Sequence, residues 1–127
     1  MSSVIIGMKY FNPVVDRLYH GARYSLSGLT RALREEQAFR YEAVVLVVLF
    51  VVVPLAGLSL LSSVALIGAW LAVMALELVN SAVERAFDLI GRDFIDRDFN
   101  PDIKTGKDML SAAVFLAILF NIALWSV

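Results

Sequence analysis

The chain has 127 residues, of which 60% are apolar and 18% charged, with a formal net charge of -1. A soluble domain of this size carries about 45–50% apolar and about 25% charged residues, so a disordered chain is excluded and a soluble globular enzyme disfavoured, and the near-neutral charge gives no reason to expect nucleic acid as a partner. There are no cysteines and only one histidine, His20, which excludes disulfides, thiolate sites, thiol catalysis and multi-histidine metal centres.

In chain order, Val4-Ile5-Ile6 is the first apolar run and is too short for the hydrophobic region of a signal peptide. From residue 13 to 36 the pattern is amphipathic. Val15, Leu18, Ala22, Leu26, Leu29 and Leu33 recur at helical spacing, with Asp16, Arg17, His20, Arg23, Ser27, Arg31 and Arg34 between them. This predicts a surface helix over 13–36, capped by Asn12-Pro13 and lying at the membrane boundary with its basic residues toward headgroups.

Residues 43–76 and 109–127 contain no charged side chain. A span needs about 20 mostly apolar residues. The first run is too long for one span and is interrupted by small and hydroxyl residues from Gly57 to Ser63. The expected architecture is all-α: the surface helix followed by transmembrane helices over 43–58, 62–90 and 107–125, in a single integral-membrane domain. Gly91 is a candidate C-cap for the second span, and Asn100-Pro101 forms a cap and first-turn proline ahead of the third. Six Lys and Arg residues precede Ala43 and five lie between Arg85 and Lys107. The positive-inside rule then places the N-terminus and the second loop in the cytoplasm.

Chemistry concentrates on the second span. Glu77, Asn80, Ser81, Glu84 and Asp88 are three or four residues apart and share one helical face. With entry near Ser63, Glu77 lies roughly 10 Å inside the cytoplasmic boundary. An ionisable group at that depth costs at least a few kcal/mol, which makes a functional site the default reading, against a purely structural polar cluster. By orientation Glu36, Glu84, Asp88, Lys107 and Asp108 collect at the same interface, with Glu42 beside Arg40 at the start of the first span. Carboxylates from separate helices suit Mg²⁺ with phosphate oxygens completing its shell. A neighbouring lysine can neutralise phosphate charge, and a carboxylate at the depth of Glu77 suits a general base. No soluble-kinase loop of the type GxxxxGK[ST] or GxGxxG is present.

The run from Glu77 through Asn80-Ser81 to Glu84, with Asp88 and Gly91, resembles the signature of the prokaryotic integral-membrane diacylglycerol kinases. So does Lys107-Asp108-Met109-Leu110-Ser111-Ala112-Ala113-Val114. Tyr24-Ser25 with Gly28-Leu29, and Glu36 to Glu42, fit the family's surface helix and first-span entry.

The resemblance implies a homotrimer in the bacterial inner membrane that transfers the γ-phosphate of MgATP to the primary hydroxyl of diacylglycerol, giving phosphatidic acid, at sites shared between subunits. It implies Glu77 as general base with Asn80 supporting it, and Glu36 and Glu84 as ligands of Mg²⁺. Tyr24, Lys107 and Asp108 are implied as ATP contacts, and Arg17, Arg40 and Glu42 as lining for the lipid entrance. Two departures stand out: the segment 92–106 is longer and richer in aspartate (Asp93, Asp96, Asp98, Asp102), and Leu26 stands where many members carry tryptophan. Undecaprenol kinases share the fold and the helix-two acids, whereas the Lys107–Ala113 motif is closer to the diacylglycerol type. A non-enzymatic membrane subunit and a small proton or ion pathway are the rival readings of the same stripe.

Overall fold

A computed structural model describes the backbone of residues 2–93 and 100–127 and the side chains of 12–92 and 100–127. Among the described residues the structure is entirely helical: α1 (Ser2–Glu35), α2 (Gln37–Leu55), α3 (Leu60–Asp93) and α4 (Pro101–Trp125). The chain divides into two compact units, Met1–Glu35 and Glu36–Val127.

The first unit is α1. Its helix runs through Pro13 instead of starting there. A proline inside a helix forfeits one backbone hydrogen bond, and the surrounding residues propagate the helix despite that loss. On the exposed surface Ser25 and Thr30 return their hydroxyls to the carbonyls of Gly21 and Leu26, Asp16 lies 3.7 Å from His20, and Arg31 pairs with Glu35 at 3.3 Å.

In the second unit α2 and α4 each pack on α3. All three helices are long and apolar enough to cross a membrane. Each packs through one stripe. On α2 the covered positions are Phe39, Glu42, Ala43, Leu46, Leu49 and Val53, and on α4 they include Gly106, Lys107, Leu110, Val114, Ile118 and Asn121. The distribution is inverted relative to a soluble protein. Asn80, Ser81 and Asn121 are buried, while Val47, Phe50, Phe115 and Phe120 are more than half exposed. Apolar side chains turned outward and polar ones turned inward suit a hydrocarbon solvent.

Directional hydrogen bonds tie α3 to each of its two neighbours. Trp70 Nε1 donates to the Glu42 carbonyl at 3.0 Å. Asn121 Nδ2 donates to the Ala69 carbonyl at 3.0 Å and to Ala117 in its own helix at 2.9 Å. At the other end of the same interface Gly106 meets Phe87: a Cβ at position 106 would lie 2.8 Å from Cζ of that ring. Gly106→Ala therefore forces the ring aside at a cost of about 1–3 kcal/mol. The expected result is a lower unfolding midpoint, regained when Phe87→Leu is added, as read by thermal or detergent denaturation.

Several helix ends differ from the sequence expectation. The first span begins at Gln37, not residue 43, because Gln37–Glu42 contains no breaker and Glu36, in an extended conformation, already serves as N-cap. It ends at Leu55 instead of 58, just after Pro54, and Gly57 then takes φ 67°, a left-handed turn that favours glycine. The next helix starts at Leu60 because Ser59 caps it: Ser59 Oγ accepts from the Ser62 amide at 3.1 Å. Ser62 and Ser63 are thus inside α3. Gly91 is not a C-cap, since α3 continues to Asp93; a Cβ at Gly91 would make an ordinary 3.7 Å contact with Ile103 of α4, so the position has room for alanine. The third span starts at Pro101, not 107, because the Asn100 side chain accepts from the amides of Asp102 and Ile103. The connection between α3 and α4 is correspondingly shorter than 92–106. Asp96 and Asp98 lie outside the described residues, as does the side chain of Asp93.

Candidate active site

The face of α3 that carries Val73, Glu77, Asn80, Ser81 and Glu84 is the face its neighbours cover. Val73 is fully buried, Asn80 and Ser81 are nearly so, and Glu77 and Glu84 are half-buried. α3 has 34 residues, about 50 Å at helical rise, against about 30 Å of hydrocarbon. Its far end must therefore stand out of the apolar layer. Glu77, 17 residues beyond Leu60, is about 25 Å along the helix and sits close to that boundary.

Around Glu77 the acidic residues converge. The Asn80 side-chain amide is hydrogen-bonded to the Glu77 carboxylate. Glu36, Glu42 and Glu84 all lie within electrostatic reach of it. Glu36 and Glu42 arrive from the start of α2, where Glu42 occupies the packed face. Two buried acceptors point into this region without a hydrogen-bond partner among the described residues: Asn80 Oδ1 and Glu42 Oε2. Orphaned buried acceptors are costly and uncommon, and a donor such as a hydroxyl would satisfy them.

Two cations close the cluster. Arg85 Nη2 donates to Glu36 Oε1 at 2.7 Å, tying α3 to the cap of α2. Lys107 Nζ donates to Asp88 Oδ1 at 2.5 Å, tying α4 to α3, and lies within electrostatic reach of Glu84. Three helices thus deliver carboxylates, a carboxamide and two cations to one end of the bundle.

Residues 23–127 match the family model described as prokaryotic diacylglycerol kinase. The chain belongs to the prokaryotic diacylglycerol kinase family. It is 35% identical over 111 residues to a protein of Haemophilus influenzae named diacylglycerol kinase, covering 87% of this chain and 90% of that one. The diacylglycerol kinase of Escherichia coli strain K12 is 33% identical over 111 residues, covering 87% of each chain. That of Helicobacter pylori strain 26695 is 35% identical over 112 residues, covering 86% of this chain and 81% of the relative. Family membership and three apolar helices make this a multi-pass membrane protein.

Within the diacylglycerol kinase family frame, the structure brings together Glu36, Glu42, Glu77, Asn80, Glu84 and Lys107. It does not add Asp108 to them. Asp108 is next to Lys107 in sequence but about 100° around the helix, and it pairs with Lys104 at 2.6 Å on the exposed side. Arg40 is exposed at the start of α2. Arg17 and Tyr24 are exposed on α1, where Tyr24 stacks on His20 with ring centroids 6.1 Å apart. Among the described residues no group of three or more metal-ligating side chains forms a cage. Two glutamates without a cage suit a small hard cation that keeps water and takes phosphate oxygens, which is how Mg²⁺ is usually held.

Sequence reasoning passed over Arg85, which contributes to the charge count but is also the partner of Glu36. It also passed over Asn121, whose position in a charge-free run was a signal in itself.

Proposed function

We propose that this protein is an ATP-dependent lipid kinase of the bacterial inner membrane, acting on the primary hydroxyl of diacylglycerol to give phosphatidic acid, with its site on the cytoplasmic side. The observation that carries the reading is the meeting of Glu77 and its partner Asn80 with Glu36, Glu84 and Lys107 at one end of three apolar helices. A lipid hydroxyl and a nucleotide have opposite solvent preferences, and a reaction between them belongs at the boundary where this cluster lies.

In the proposed reaction the hydroxyl of the lipid enters beside Glu77 and turns its one proton toward that carboxylate. Glu77 takes the hydroxyl proton as the oxygen bonds to the γ-phosphorus and the bond from that phosphorus to the ADP oxygen breaks. Asn80 holds the carboxylate in place through its amide. Glu36 and Glu84 would hold Mg²⁺, which when bound neutralises charge on the phosphates. Lys107 supplies a further positive charge. From the family resemblance, Tyr24 and Asp108 join as ATP contacts, and Arg17, Arg40 and Glu42 line the lipid entrance. The homotrimer implied by the resemblance is part of this proposal. The names of the relatives support diacylglycerol over undecaprenol.

The test is purified protein in micelles given radiolabelled ATP with diacylglycerol or undecaprenol in separate reactions. Label in phosphatidic acid is the expected result. Label only in the polyprenol would replace the substrate, and label in neither would remove the kinase reading.

A further inference from the structure

Five carboxylates, Glu36, Glu42, Glu77, Glu84 and Asp88, occupy the site end of the bundle, and two cations pair with members of the set, Arg85 with Glu36 and Lys107 with Asp88. Such a cluster attracts a divalent cation and repels a polyanion. A triphosphate therefore needs positive charge already in place, beyond whatever metal accompanies it. Lys107 supplies one such charge. The other is Arg85, and it is engaged with one oxygen of the glutamate proposed as a metal ligand.

The geometry of that pair makes it an exchangeable contact. It is a charge-assisted hydrogen bond at 2.7 Å, yet the Arg85 side chain is 54% exposed, whereas the Glu36 side chain is 29% exposed. The carboxylate is held by its place at the cap of α2, while the guanidinium sits on a long stem with access to water. A guanidinium offers planar paired donors that suit phosphate as well as they suit carboxylate.

We infer that Arg85 is a positioning residue for nucleotide: at rest it occupies Glu36 and blocks metal binding without nucleotide, and on arrival of the triphosphate it transfers to a phosphate oxygen and frees Glu36. Metal and nucleotide then enter as one unit, and the acidic cluster is not filled by stray divalent cations between turnovers. This deepens the kinase reading and rests on it, but its first consequence concerns binding and is measurable without turnover.

The experiment uses the full chain in detergent micelles, as wild type, Arg85→Gln and Arg85→Lys, with unfolding midpoints recorded for each. Mn²⁺ is titrated by electron paramagnetic resonance without nucleotide, and binding of a non-hydrolysable ATP analogue is measured with Mg²⁺ present. In Arg85→Gln, Mn²⁺ binding without nucleotide should tighten, while analogue binding weakens, each by about tenfold, the size of a hydrogen bond to a charged group. In turnover the KM for MgATP should rise by more than kcat falls. Arg85→Lys should restore analogue binding in part. Weakened Mn²⁺ binding with a lowered unfolding midpoint would make Arg85 a structural tie and overturn the inference. Unchanged Mn²⁺ and analogue binding would overturn it as well. If Arg85→Gln shows these opposite shifts yet the wild type phosphorylates no lipid, the inference stands and the substrate reading fails.

Discussion

Glu77→Gln should give a protein that folds, keeps its helix content and assembly size, and transfers at least about 1,000-fold less phosphate to lipid, within the range a general base contributes. The substitution is nearly isosteric and keeps an acceptor for the Asn80 amide, so packing around α3 is undisturbed. What it removes is the ability to take a proton at the apolar boundary. Water cannot substitute easily, because the position lies against buried Val73 and Asn80. A structural role for the stripe predicts the opposite pattern: a shift in stability with activity scaling to the folded fraction. An ion-pathway role predicts loss of pH-dependent flux in liposomes that owes nothing to ATP. Phosphorylation above a few per cent of wild type in a well-folded Glu77→Gln would exclude Glu77 as the base.

The parts of this molecule that could be read from its sequence are those set by local periodicity. Charge-free runs of about the length that crosses a bilayer, or longer, identify spans without any knowledge of neighbours. The three- and four-residue spacing of Glu77, Asn80, Ser81 and Glu84 puts them on one face whatever that face meets. The expected helix ends were less accurate because they turn on single capping contacts, such as Ser59 on the Ser62 amide and Asn100 on Asp102. Gly91 shows why composition misleads there: glycine is common at a C-cap, yet here the helix runs on through it to Asp93. The ion pairs between helices were not legible at all. Arg85 and Glu36 are 49 residues apart and Lys107 and Asp88 are 19 apart, so neither pair leaves a mark on any local window. The same holds for the separation of Lys107 from Asp108, which a motif presents as a unit and a helix turns to different sides.

Glu36→Gln and Glu84→Gln should each raise the Mg²⁺ concentration for half-maximal activity by at least about tenfold, the lower end of what even an outer-shell partner of a metal contributes. The two variants are not equivalent. Glu36 is the partner of Arg85, so its glutamine variant also loosens that guanidinium, and the lost negative charge partly offsets the lost ligand by easing phosphate approach. Glu84 has electrostatic reach to both Glu77 and Lys107. Its loss should therefore weaken the metal response more steeply and lower kcat as well, because the charge balance around the base changes. Replacing Mg²⁺ with the larger Ca²⁺ should fail to support turnover in the wild type, since a site of two glutamates and phosphate oxygens has no cage to offer a cation that prefers six to eight oxygens. A Mg²⁺ titration superimposable on wild type in both variants would remove these two glutamates as ligands, and would leave the acidic cluster as a means of positioning the lipid hydroxyl alone.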